Sequence, residues 1–167
     1  MRSVSNPSRR RRLGRAGVTS IEFAAIALCF VALVLIVLET GMQLLVQGAL
    51  EYGAREASRF GVTGAAYPPS MAGNPPPTRE AAIGDVVVNA TGGFLNAANL
   101  TVTLASYAGF RSPLPPAANA GGPSNAVQYT LAYTQPFMTS LAASIIGRGY
   151  LIHTVVFWVE NEPFPPS

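Results

Sequence analysis

The apolar positions of this chain gather first into one long block and later into short, interrupted ones. From Phe23 to Leu38 sixteen residues pass without a charged or strongly polar side chain, and Thr40–Val46 extend the apolar character beyond Glu39. A helix rises 1.5 Å per residue and about twenty residues cross the hydrocarbon of a bilayer, so the pattern predicts one membrane span over 22–43. Glu22 and Glu39 then lie towards its two interfaces. Thr40–Phe60 contains no proline. Leu45, Ala49, Tyr52, Glu56 and Phe60 recur at intervals of three or four, and Glu51, Arg55 and Arg59 at i,i+4 intervals, which predicts an amphipathic stalk continuing the membrane helix to about Phe60-Gly61. Ala24, Ala25, Ala27, Ala32 and Gly41 are small enough to permit close contact with another helix.

Helical order should stop in 61–77, where Gly61, Gly64, Gly73 and five prolines break any continuous hydrogen-bond ladder. Thr78 is a candidate N-cap for a helix over 79–90 carrying Ile83, Val86, Val87 and Ala90, although Val86-Val87-Val88 also suits a strand. Leu100–Ser106, Val127–Thr134 and Leu151–Glu160 are rich in Val, Thr and aromatic residues and alternate imperfectly, as half-buried strands do. The Pro/Gly/Asn-rich stretch 111–125 reads as an irregular connection. Within Gln135–Arg148, Phe137, Met138, Leu141, Ala142, Ile145 and Ile146 mark an amphipathic helix bounded by Pro136 and Gly147. It is either a patch that docks on a membrane or another subunit, or an ordinary helix packed on the sheet. The expected fold class is α+β: a long N-terminal transmembrane helix, then a small domain with one or two helices against a short antiparallel sheet. The expected segments are 1–17 as a basic leader, 18–60 as span and stalk, 61–77 as linker and 78–167 as the exported domain.

Charge changes the picture at the N-terminus. The formal net charge is +3, yet six of the eleven basic residues, Arg2, Arg9, Arg10, Arg11, Arg12 and Arg15, precede Val18, leaving five arginines against eight acids afterwards. The high isoelectric point therefore belongs to the leader, and nucleic acid is not an expected partner. Arginines directly ahead of an apolar segment retain that end in the cytoplasm and send the residues after about 46 outward, into the periplasm or its equivalent. A cleaved secretory signal has similar ingredients, with Val46-Gln47-Gly48 before Ala49 as its cleavage site. The apolar block is longer than such signals carry, and it starts abruptly after Glu22.

Catalytic chemistry does not emerge. Cys29, the sole cysteine, lies inside the span, so no intramolecular disulfide can form. His153 is the sole histidine, which excludes a Cys/His zinc cluster within the chain. Glu80, Asp85, Glu160 and Glu162 have no spacing that specifies paired carboxylates or a calcium loop. Gly92-Gly93 and Gly121-Gly122 lack a phosphate-binding pattern, and no serine sits in a nucleophile elbow. Asn89-Ala90-Thr91 and Asn99-Leu100-Thr101 fit a glycosylation pattern that bacteria generally do not read. The expectation is a chain that is not an enzyme and needs no cofactor.

Gly17-Val18-Thr19-Ser20-Ile21-Glu22-Phe23, followed by the apolar block, resembles the class III signal of type IV pilin-like proteins and, among them, the TadE-like family of tight-adherence (Flp) pilus assembly. The resemblance covers roughly residues 14–60, and the closing HTVVFWVENEPF is similar to the last strand and acidic end of such proteins. It lacks the proline common after the glutamate in classical type IV pilins, which places the likeness with the TadE branch. The resemblance implies that a prepilin peptidase cuts after Gly17, making Val18 the new N-terminus and Glu22 the fifth residue of the mature chain. The new α-amino group would then partner Glu22, a carboxylate that is otherwise expensive at the mouth of a hydrophobic helix and is helped by the helix N-terminus. Glu22 and Phe23 would set assembly register. The implied role is a non-enzymatic minor pilin or pseudopilin of the bacterial inner membrane, with a cytoplasmic N-terminus and a periplasmic domain. Its partners would be the peptidase, other pilin-like subunits, inner-membrane assembly proteins and the lipid bilayer. The competing expectations are an unprocessed, membrane-anchored envelope binding or structural protein, and a soluble domain released by ordinary signal cleavage.

Overall fold

The computed structural model describes residues 12–110 and 114–163. Arg2, Arg9, Arg10 and Arg11 of the leader and Phe164 of the closing motif lie outside the described residues. Helix α1 (Arg12–Val62) is followed by α2 (Arg79–Ala90), β1 (Leu100–Tyr107), β2 (Ala126–Pro136), α3 (Ser140–Ile146) and β3 (Tyr150–Glu160). The loop from Gly64 to Thr78 contains one short 3-10 turn, Pro69–Met71. The fold is therefore a long apolar helix leading into helices packed against a three-stranded antiparallel sheet of order β1-β2-β3.

Local signals set most of these boundaries. Thr78 takes an extended conformation and its Oγ1 accepts from Ala81 N at 3.2 Å, so α2 starts where a capping hydroxyl is available. The run Val86–Val88 is helical. Thr139 caps α3 in the same way, accepting from Ala142 N, and Gly147 ends it at φ 76°, a left-handed conformation that costs glycine little.

The sheet buries one face. Leu104, Tyr129 and Phe157 form one cross-strand row; Val102, Leu131 and Val155 form the next; Leu100, Tyr133 and His153 the third. Tyr129 stacks on Phe157 with ring centroids 5.0 Å apart, within the range that favours offset aromatic pairs. The outer half of α1 lies against β2 and β3 while α2 lies against α1 and β1, so two helices cover this face. The opposite face carries Thr101, Thr103, Thr130, Thr154, Val156 and Trp158.

The stretch expected to be a stalk is thus part of the domain's own core. Val46, Leu50, Ala54 and Ala57 of α1 are buried together with Ile83, Val87, Tyr129 and Leu131. The buried stripe differs only in part from the one the spacing marked, since Ala49 and Phe60 pack against the core. Leu45 and Tyr52 are exposed, and the residues facing the sheet sit one or two positions along from them. Apolar residues occur on more than one face of this helix, so periodicity alone did not select the inward one. Small residues let α2 approach closely. A Cβ placed on Gly53 would stand 2.7 Å from Val87 Cγ1, too close without a shift of that side chain or of the crossing, and a tight 3.2 Å from Val87 O. The expected Glu51–Arg55 pairing is replaced by a Gln47 Nε2 to Glu51 Oε1 bond, while Arg59 pairs with Glu56 at 3.3 Å.

Candidate functional site

The inner half of α1 stands clear of the domain. An apolar window within it has mean hydropathy 3.0 and is unburied by the rest of the chain, with Ile21, Phe23, Ile26, Leu28 and Phe30 all strongly exposed. Covering such a surface is favourable, because each of these side chains contributes roughly 1.5–3 kcal/mol when removed from water. The helix has the length and composition of a single membrane span. Gly17, Val18, Glu22 and Phe23 all lie on this helix, near its start. Val18 and Glu22 are four residues apart and so share a face. Both are exposed, as are Phe23 and Cys29.

Polar side chains of α1 become structured where it meets the domain. Glu39, Gln43, Gln47 and Glu51 succeed one another at i,i+4, forming a ladder along one side of the helix. Glu39, at the inner end, is 6% exposed. Its carboxylate accepts from Met138 N at 3.0 Å, Thr139 N at 3.2 Å, Thr139 Oγ1 at 3.3 Å and Gln43 Nε2 at 3.0 Å. The expectation of an interfacial marker missed this role: Glu39 fastens the segment between β2 and α3 to the membrane helix. Charge-assisted bonds to backbone N–H groups are stronger than neutral ones, and here they balance the cost of burying the carboxylate.

His153, on β3, completes the ladder. Its Nε2 lies 2.8 Å from Gln43 Oε1 and its Nδ1 3.1 Å from Gln47 Oε1. A neutral imidazole donates from only one nitrogen. Buried Glu39 holds the Gln43 amide, whereas exposed Glu51 holds that of Gln47, so we assign the neutral ring an Nε2–H donated to Gln43, with the Gln47 amide turned to donate to Nδ1. Burial pushes the His153 pKa below its ordinary 6.5. The folded state therefore binds fewer protons than the unfolded one between that lowered value and 6.5, and stability falls as pH drops through this window. Urea unfolding followed between about pH 8 and about pH 5 is expected to show this loss, and to show less of it in His153→Asn. An identical pH profile in the variant would remove His153 from the account.

At the far end of α1, Arg79 closes the domain. It is 7% exposed and donates from Nε to Tyr129 Oη at 2.8 Å, from Nη2 to Gly61 O at 2.8 Å and from Nη1 to Ala65 O. Its guanidinium lies 5.3 Å from the centre of the Phe60 ring. A cation at the C-terminal end of α1 meets carbonyls that the helix itself leaves unsatisfied. Burial raises the Tyr129 pKa above 10.0, against the lowering influence of Arg79, so the phenol is neutral in the fold.

Among the described residues no group of three His, Cys, Asp or Glu side chains is placed to hold a metal ion. The sequence singles out the N-terminal positions but not Glu39, His153 or Arg79 as organising groups. For Glu39 and the partners of His153 the available signal was the i,i+4 run of four polar residues, Glu39, Gln43, Gln47 and Glu51, directly after the apolar block.

These features define a protein with one long apolar N-terminal helix, in keeping with a single pass through a membrane, and a small α+β domain built onto its outer half. Residues 17–59 match the model of a family described as TadE-like protein. That match spans less than half of the 167-residue chain and begins at Gly17. The likeness is to a family of non-catalytic, structural, pilin-like proteins. No curated protein and no solved structure matches the chain.

Proposed function

We propose that this chain is a minor pilin or pseudopilin-like subunit in the assembly of a tight-adherence pilus or a related secretion system. The observation that carries the reading is the TadE-like match starting at Gly17 and running along a helix whose membrane half no other part of the chain covers. A prepilin peptidase would remove Met1–Gly17 at the cytoplasmic face of the bacterial inner membrane. The mature chain would begin at Val18, with its domain in the periplasm. Its work is geometric. The exposed apolar surface of α1 supplies insertion and lateral packing; Glu22, opposite the freed amine of Val18 in the same or a neighbouring subunit, sets axial register. Leu44, Leu45 and Tyr52 prolong the exposed apolar surface beyond Glu39, so side-by-side packing can continue outside the hydrocarbon.

The test is Glu22→Ala in cells that carry the assembly system. Membrane fractionation should show normal insertion, because removing a carboxylate makes the helix more apolar. Piliation, or incorporation of the subunit into the assembled complex, should be severely reduced. Wild-type assembly in this variant would rule out the register role of Glu22.

A further inference from the structure

We infer that α3 is a second membrane contact, lying in the outer interfacial layer with Met138, Ile145 and Ile146 among lipid. The inference rests on the reading that α1 crosses a bilayer, and adds a surface which that reading does not require. No residue of α3 is buried, although the helix is apolar on most of its length. Met138, Ile145 and Ile146 are 65%, 64% and 50% exposed. Met138 lies just ahead of the helix, and an ordinary core helix would have turned Ile145 and Ile146 towards the sheet.

Placement decides what covers them. The segment Met138–Thr139 is held by Glu39, the first charged residue after the apolar block, so α3 stands beside α1 where that block ends. Between the two helices runs a groove of about 370 Å³ lined by Ile36, Thr40, Phe137, Ala142, Ile145 and Ile146. Ile36 belongs to the membrane-crossing run. The groove is therefore continuous with the lipid-facing surface of α1. The sixteen uncharged residues from Phe23 to Leu38 fall short of the roughly twenty needed to span the hydrocarbon, so the span must draw on residues at an end. At the outer end α3 makes this possible, because its N-terminal donors shield the Glu39 carboxylate that would otherwise face the bilayer edge. Charge agrees: from Phe137 to Ile152 the chain holds Arg148 and no acid, and Arg148 is exposed just after α3, where it can meet lipid phosphate. The arrangement would fix the tilt and height of the domain over the membrane.

The experiment uses the full chain reconstituted in phosphatidylcholine–phosphatidylglycerol vesicles whose acyl chains are brominated either near the headgroup or near the chain end. Trp158 is replaced in Trp158→Phe, and single tryptophans are introduced by Ile145→Trp, by Met138→Trp and, within the span, by Ile26→Trp. The first two should lose emission in vesicles brominated near the headgroup and much less in those brominated near the chain end. Ile26→Trp should lose emission strongly with bromine deep in the bilayer. If Ile26→Trp is quenched while Ile145→Trp and Met138→Trp both emit unchanged, α3 lies in water or against protein and the inference is overturned. A blue-shifted but unquenched Ile145→Trp, with cross-linked pairs of chains, would assign the patch to a second copy instead. Should no position be quenched, the span itself fails, and the inference with it.

Discussion

Replacing Arg79 by alanine is expected to destabilise the domain by about 3 kcal/mol or more, the combined effect of lost charge-assisted hydrogen bonds and the polar groups left behind them. The guanidinium satisfies the Tyr129 hydroxyl and the carbonyls of Gly61 and Ala65 from a position that water hardly reaches. In Arg79→Ala these three groups are orphaned, and Phe60 loses the cation beside its ring. Tyr129 lies at the centre of the sheet's inner face, so the disturbance starts in the core. Arg79→Lys should recover only a minor part, because one ammonium cannot reproduce the planar fork that reaches three acceptors in different directions. Urea unfolding of the detergent-solubilised chain, followed by Trp158 fluorescence, measures both variants. A shift below about 1 kcal/mol in Arg79→Ala, the size of an ordinary surface change, would show that the three acceptors find other partners.

The second large effect is local. Glu39→Ala removes the acceptor shared by Met138 N, Thr139 N and Thr139 Oγ1, and should free the segment between β2 and α3 from α1 while leaving the sheet folded. Hydrogen bonds to a charged group contribute about 1.5–3 kcal/mol, so amide exchange at Met138 and Thr139 should quicken by about tenfold to a hundredfold. Glu39→Gln should fall between wild type and alanine, since it keeps one oxygen but presents an amide donor to the other N–H groups. Unchanged exchange at both amides in Glu39→Ala would mean that Glu39 does not hold this segment. The two variants separate the core from the membrane edge: Arg79 acts where α1 ends, Glu39 where α1 leaves the apolar run.

Much of the fold was legible because its signals are local. Thr78 and Gly147 are terminators read from one or two residues, and the three strands were marked by β-branched and aromatic runs that the structure extends by a residue or two at their ends; the start of α3 was misplaced, because β2 runs on to Pro136 and the cap is Thr139. The choice at Val86–Val88 was not local. Those residues are helical where α2 packs against Gly53 of α1, a contact made across more than thirty positions of sequence. The buried side of α1 was illegible for a related reason. Leu44 and Leu45 are as apolar as Val46 and Leu50, and only α2 and the sheet, formed later in the chain, determine which pair is covered. The organising polar groups were hidden by distance too: Arg79 meets Tyr129 fifty residues away, and His153 reaches back to Gln43 and Gln47 over more than a hundred. A sequence can reveal that Glu39 and His153 are unusual, but their partners exist only once the strands have brought the chain back to α1.

The candidate assembly site has the opposite character. Gly17, Val18, Glu22 and Phe23 were singled out from a contiguous pattern, and their proposed roles depend on an enzyme and on neighbouring subunits that act on this helix. The decisive measurement is therefore the intact mass, with assignment of the N-terminal peptide, of the protein extracted from native membranes. The account predicts a chain beginning at Val18, with the freed amine four residues before Glu22. A membrane-extracted chain that still carries Met1–Gly17 would contradict it, leaving an anchored envelope protein in place of a processed pilin-like subunit.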